Sequence, residues 1–154
     1  MIKLKIEIDI SGQIQQLKLN SALGIKRTDK AENSIFLKSE VKKEIIKKYK
    51  GQVTNLIEKL HCILIYYCIK DFLENVNEII ICRDVSFRRI KNLLPLLFKE
   101  QNYLNNIKIS QRTSCEKKSL GHKVALKTLR NKKLANLIIK NEMIEDVLFK
   151  FKRK

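Results

Sequence analysis

The chain has 154 residues, a length that suits one compact domain with its own hydrophobic core. Apolar residues make up 44% of it, which excludes a wholly disordered chain. Lys and Arg number 33 against 16 Asp and Glu, a formal charge of +17. A field of this strength repels itself unless an anion neutralises it, so the charge predicts a nucleic-acid partner. The alternative is a lysine-rich surface inherited from an AT-rich genome.

Apolar and charged residues alternate over residues 2–10, which predicts a strand with one buried face. A Ser-Gly turn follows, and residues 13–20 alternate again, so we expect the second strand of a hairpin there. Residues 26–33 are polar and predict a loop. A short third strand is expected over residues 34–38.

The spacing typical of a helix begins at Ser39, directly after the third strand. Ser39 is a candidate N-cap for a helix that ends near Gly51, and apolar residues continue at a spacing of 3.6 as far as Phe72. The aliphatic run at residues 77–82 predicts a central strand that is covered on both faces. Ser86 is a candidate N-cap for another helix, which the only proline of the chain must kink or divide.

The last third of the chain predicts a short strand at residues 107–110 and a basic helical segment from about residue 120 to 140. One more short helix is expected over residues 142–151. Nothing in the composition marks a second domain. We therefore expect a single domain over residues 1–154, with a basic and mainly helical part from about 108 to 154.

Membrane and redox signals are weak in this sequence. The longest apolar run, residues 60–69, is about half of the roughly 20 residues that a spanning helix needs. The start of the chain lacks the pattern of a signal peptide. The cysteines have no CxxC spacing, and three of them lie in apolar runs as buried small hydrophobes. These features predict a cytoplasmic protein with reduced thiols and no membrane partner.

The predicted order is strand, strand, strand, helix, strand, helix, strand, helix. With Asp9 in the stretch IDISGQ and Asp84 at the end of IIICRD, it resembles the ribonuclease H-like fold. The similarity is greatest to members whose first strand ends in Asp-x-Ser-Gly and whose third strand leads into a helix near a Lys, matched here by FLKSEVK at Phe36–Lys42. The resemblance covers about residues 2–140. It implies an α/β fold, a mixed five-stranded sheet with helices on both faces.

Ribonuclease H-like nucleases hold two divalent metal ions with clustered carboxylates. The resemblance therefore implies catalytic and metal-binding roles for Asp9, Asp84 and Glu44, with Glu40 as the alternative third ligand and Mg²⁺ or Mn²⁺ as the cofactor. Two such ions about 4 Å apart can activate a water and stabilise the leaving oxygen of a phosphodiester. Mg²⁺ prefers oxygen ligands of this kind. The function implied is a metal-dependent nuclease that acts on a nucleic-acid backbone.

Two departures from the family favour a non-catalytic nucleic-acid-binding module on the same scaffold. Family members carry one more acid in the last helical segment, whereas the matching stretch SLGHKVALKTLRNK has none. Arg83 could also neutralise Asp84. The acids have structural alternatives as well, because Asp9 could cap the hairpin turn and Asp84 could start a turn before the next helix. Glu40 and Glu44 could be ordinary acids of a first helical turn.

Ten basic residues and one acid lie between residues 108 and 140. This segment predicts a surface that contacts phosphates of DNA or RNA with little sequence preference, and the alternative is a solvated helix face. The candidate nucleic-acid-binding residues are Lys117, Lys118, Lys123, Lys127, Arg130, Lys132 and Lys133.

Both histidines have a structural and a functional interpretation. His61 lies in an apolar helical run and is interpreted as a core histidine rather than a ligand. His122 lies in the basic segment and is interpreted either as a surface side chain or as a group that assists proton transfer near a phosphate.

Overall fold

A computed structural model describes residues 3–82, 86–98, 106–112 and 120–151. Their six strands form one mixed sheet in the spatial order β5-β4-β1-β2-β3-β6. The strands are β1 (Leu4–Ser11), β2 (Ser21–Arg27), β3 (Glu32–Leu37), β4 (Val76–Ile81), β5 (Lys108–Gln111) and β6 (Leu137–Ile139). The first three pair antiparallel, whereas β4 pairs parallel with β1, β5 with β4, and β6 with β3. The protein is therefore of the α/β class, as predicted.

Helices cover both faces of this sheet. The α-helices of the described residues are α1 (Ser39–Tyr49), α2 (Leu56–Ile69), α3 (Phe87–Leu93), α4 (Leu120–Arg130) and α5 (Asn141–Leu148). Ile8 of β1 belongs to one buried cluster with Ile45 of α1 and Ile63 of α2. Because side chains alternate along a strand, Asp9 faces the opposite side, where α4 packs against β1, β2 and β3.

The predicted five-stranded sheet is wrong by one strand. We expected a helix up to about residue 140, but α4 ends at Arg130 and a 3-10 turn, Lys132–Leu134, leads into β6. A short apolar run such as LII fits a buried helix and a strand equally well. Parallel pairing with β3 places Ile139 opposite Leu37, and both side chains are buried.

The second strand was also misplaced by the sequence. Residues 13–20 form turns, and the strand is β2, which begins at Ser21. Residues 21–25 of β2 are all buried. A strand that is covered on both faces has no polar side, so an alternation of apolar and polar residues cannot reveal it in the sequence.

The breaks between helices lie where the sequence places them. Gly51 has a positive φ of 83° and follows the end of α1. Pro95 lies in a 3-10 segment, Leu94–Phe98, which divides the predicted helix after α3. The predicted cap at Ser39 is wrong, because Lys38 is the N-cap and Ser39 is the first residue of α1. Ser86 is the N-cap of α3, as predicted, although its side chain accepts no capping hydrogen bond.

Candidate functional site

Helix α4 lies directly on the backbone of the sheet because two glycines face each other. A Cβ atom on Gly24 of β2 would lie 2.4 Å from the backbone nitrogen of Ala125. A Cβ atom on Gly121 of α4 would lie 2.7 Å from the carbonyl oxygens of Glu7 and Gly24. Real Cβ atoms do not approach other atoms this closely, so both positions require glycine.

Asp9 lies under the first turns of α4, near the end of the central strand β1. Its side chain is buried, and Oδ1 accepts a hydrogen bond of 2.8 Å from the backbone N–H of Ile10. Its Oδ2 lies 3.3 Å from Nδ1 of His122. The acid that interrupts the first strand therefore contacts the basic helix.

An ion pair lies on the same face of β1. Arg112 Nη1 donates to Glu7 Oε1 at 2.7 Å, and both side chains are about four-fifths buried. Glu7 and Asp9 are two positions apart on one strand, so both point to the α4 side of the sheet. The alternation of residues 2–10 predicted their common face, whereas their partners His122 and Arg112 were not predicted, because each comes from a distant part of the chain.

The other predicted acids do not join Asp9 in the described part of the chain. Glu44 is exposed and accepts a hydrogen bond from Asn141 at the start of α5, on the other side of the sheet. Glu40 is also exposed. Asp84 and its neighbour Arg83 lie outside the described residues. Within residues 3–82, 86–98, 106–112 and 120–151, no group of three or more His, Cys, Asp or Glu could hold a metal ion.

The described side chains therefore do not by themselves fit a two-metal centre. Asp9 already accepts from the Ile10 amide and contacts His122, and Glu44 is on the opposite face. A Mg²⁺ or Mn²⁺ site stays a prediction that depends on Asp84, and we derive no reaction step through it.

The basic residues of α4 form an exposed stripe. Lys123, Lys127 and Arg130 are spaced i, i+4 and i+7, on the side of the helix away from the buried Gly121 and Ala125. Lys132 and Lys133 follow directly and are exposed as well. These five residues, called the α4 stripe below, form no ion pair with any other described residue. The predicted Lys117 and Lys118 lie outside the described residues.

A groove of about 470 Å³ follows the flank of α4. Lys123 and Lys127 line it together with His122 of the same helix and Lys26 of β2. Glu32 of β3 also lines the groove but lies 3.1 Å from the Lys26 ammonium, which balances its charge. The other lining residues, Leu120, Val124 and Leu126 of α4, are apolar, so the groove has a net positive charge.

His61 and three cysteines belong to the core, as predicted. His61 is 4% exposed, and burial lowers its pKa to about 4, so its ring is neutral at pH 7. Cys62, Cys68 and Cys82 are buried, and burial raises the pKa of the Cys62 and Cys68 thiols. Cys115 lies outside the described residues.

Lys42 is a buried lysine that sequence analysis missed. Its side chain is fully buried, and its ammonium donates to the carbonyl oxygens of Gln13, Gln16 and Leu19, at 3.1, 3.1 and 2.7 Å. Burial lowers the pKa of Lys42 to about 8, so it still carries its proton at pH 7. The signal was its position, one helical turn before the buried Ile45 on the apolar face of α1.

No family model, curated protein or solved structure matches the chain. Among the described residues, no helix has the length and hydropathy needed to cross a membrane.

Proposed function

We propose that this protein is a nucleic-acid-binding module that holds the phosphate backbone of DNA or RNA with the α4 stripe. The observation that carries the proposal is the line of exposed cations Lys123, Lys127 and Arg130, which lack acidic partners in the described part of the chain. Unpaired cations on a molecule of formal charge +17 lower their energy by contact with a polyanion.

The geometry suits backbone contact rather than base recognition. Lys123 and Arg130 are seven positions apart, so the three cations span about 10 Å along the helix axis at a rise of 1.5 Å per residue. Lys side chains are flexible point charges and bind phosphate without reading the bases. We therefore propose tight binding at low salt with little preference for sequence.

The helix that carries the stripe is held firmly. Gly24 and Gly121 bring its backbone into contact with the sheet, and Asp9 contacts His122 in its first turn. A rigid support lowers the entropy lost when the stripe binds a strand. In this proposal Asp9 is a positioning residue for α4 and not a catalytic group.

We further propose that the scaffold is ribonuclease H-like. Three points support this: the chain order of three strands followed by helices and strands, the antiparallel pairing of β1, β2 and β3, and the parallel addition of β4 beside β1. The sixth strand is an addition to the order predicted from the sequence, and α5 is the short helix expected over residues 142–151.

The proposal is tested by a salt titration with a matched control. The α4 variant Lys123→Gln/Lys127→Gln/Arg130→Gln is compared with Lys43→Gln/Lys47→Gln/Lys50→Gln, which removes three exposed cations at the same spacing from α1 and its C-cap. Each phosphate contact contributes about 0.9 to the slope of log affinity against log salt on duplex DNA, so the α4 variant should lose about 2 to 3 units of slope.

The α1 variant should retain nearly the wild-type slope. Equal losses in both variants would show that only net charge matters and would reject the α4 stripe as the site. Absence of binding to duplex and single-stranded probes at low salt would reject the function itself.

Metal-dependent cleavage is the second candidate function. The observation in its favour is that β1 and β4 are parallel neighbours with Ile8 opposite Ile81, so β4 ends next to Asp9. Carboxylates at the ends of adjacent strands are the arrangement that two metal ions need. Asp9 and Asp84 would then both be metal ligands.

A further inference from the structure

A cavity of about 410 Å³ lies on the opposite side of the sheet from the α4 stripe. Its walls come from the end of α1, the segment that joins α1 to α2, the first turns of α2, and α5 with the 3-10 turn after it. The volume is in the range of sites for small organic ligands. None of its residues takes part in the function proposed above.

Three of the residues that line this cavity are aromatic. Phe149 is 60% exposed, more than any other large apolar side chain of the described residues. Tyr49 and the buried Phe151 line the cavity beside it. An exposed aromatic ring at the edge of a pocket is available to stack on a planar ligand.

The charged groups of the cavity leave one cation in excess. Glu145 accepts hydrogen bonds from Lys48 Nζ, at 2.7 Å, and from the Tyr49 hydroxyl. The hydrogen bond from Lys48 is the main reason that the pKa of Glu145 is lowered, so this acid is ionised and balanced by Lys48. Lys59 also lines the cavity, with Nζ 5.7 Å from the centre of the Phe151 ring, and forms no ion pair with a described residue.

We propose that this cavity binds a nucleotide, with the base stacked on Phe149 and the phosphate at Lys59. The ligand class follows from two features of the lining: an exposed aromatic ring, and an ammonium that has no carboxylate partner in the described structure. The exposed Gln52 and Thr54 also line the cavity and supply hydrogen-bonding groups for the sugar or the base edge.

The proposal is tested by calorimetry of the full chain with AMP, adenosine and ribose 5-phosphate. Phe149→Leu should weaken AMP binding at least about fivefold, because stacking of a base on an aromatic ring contributes about 1–3 kcal/mol. Lys59→Gln should weaken AMP binding but not adenosine binding, because only AMP carries the phosphate. The control Leu134→Ala, at an exposed site outside the cavity, should change neither.

The same chemistry is present in a free nucleotide and at the end of a nucleic-acid strand. A short 5′-phosphorylated oligoadenylate distinguishes the two sources. If Phe149→Leu weakens the binding of AMP and of the oligomer alike, the cavity accepts a free nucleotide as well as a strand end. If it weakens the binding of the oligomer only, the ligand is a strand end. Binding of neither probe, or equal affinities of Phe149→Leu and the wild type for both, would overturn the proposal. The α4 variant should bind AMP normally, so failure of the stripe and failure of this cavity are separate results.

Discussion

Gly121 of α4 lies so close to Gly24 of β2 that a methyl group on Gly121 would be 2.7 Å from the carbonyl oxygen of Gly24. No side chain separates the helix from the sheet at this point. This contact, together with the Asp9–His122 contact of 3.3 Å, determines where the α4 stripe stands above the sheet.

Gly121→Ala should therefore destabilise the protein by about 2 kcal/mol or more, because the added methyl group forces the helix away from the sheet. The sign of this change in unfolding free energy is informative, since Gly→Ala at an exposed helix position stabilises a protein by about 1 kcal/mol. Urea unfolding followed by circular dichroism measures the change. Lys127→Ala, on the exposed side of the same helix, should stay within about 0.5 kcal/mol. A Gly121→Ala protein as stable as the wild type would contradict the close contact.

Lys42→Met should destabilise the protein by about 2 kcal/mol, because it removes the donor for three carbonyl oxygens of the segment between β1 and β2. The loss of stability should be greatest in this segment. Amide hydrogen exchange of residues 13–20 should accelerate more than that of β4. Lys43→Met, one position away and exposed, is the control and should leave exchange in this segment unchanged.

Acid should destabilise the protein through His61. Its pKa is about 4 in the folded protein and near 6.5 in the unfolded chain, so between these values the unfolded chain binds a proton that the folded one does not. The free energy of unfolding should fall by up to about 3 kcal/mol as pH decreases from about 7 to 4.

His61→Leu should remove this part of the pH dependence. Carboxylates titrate in both proteins, so the difference between the two unfolding curves isolates the His61 contribution. Parallel curves for the variant and the wild type over pH 4–7 would contradict a buried neutral histidine.

Cleavage assays decide whether Asp9 acts in chemistry as well as in packing. If the second candidate function holds, duplex and single-stranded substrates are cleaved only with Mg²⁺ or Mn²⁺, and Asp9→Asn lowers the rate at least 100-fold. Asp9→Asn should leave binding to the α4 stripe nearly unchanged, because the amide oxygen can still accept from the Ile10 N–H and the Gly24–Gly121 contact still holds α4 on the sheet. Purified protein that shows no cleavage with either metal would reject this candidate.

Glu44→Gln tests the predicted third ligand in the same assay. Its carboxylate bonds Asn141 on the other side of the sheet, so we expect any cleavage to persist. Loss of cleavage in Glu44→Gln, with binding retained, would instead support Glu44 as a ligand.

The sequence predicted those features that depend on local patterns. Alternation located β1, the helical period located α1 and α2, and Gly51 and Pro95 marked real breaks. It did not locate β2 or β6. Residues 21–25 are covered on both faces, so they show no alternation. Residues 13–20 alternate but form turns, in which Lys42 binds three carbonyl groups.

The candidate site was predicted only in part. The exposure of Lys123, Lys127 and Arg130 follows from helical spacing and was foreseeable. The partners of Asp9 and Glu7 were not, since His122 and Arg112 lie more than 100 positions away along the chain. Contacts at such separations arise from the order of strands in the sheet, which no local pattern contains.

By itself, the sequence determined an α/β chain with an excess of positive charge concentrated in its last third. Composition and hydrophobic periodicity suffice for this, because they depend only on residues that are close together along the chain. Only the tertiary structure decided that Asp9 lies beneath the basic helix, that Glu44 faces away from it, and that Phe149 and Lys59 share a cavity. The physical reason is that a side chain's environment is set by packing between distant segments, where two glycines, a buried lysine and a doubly covered strand determine which groups meet.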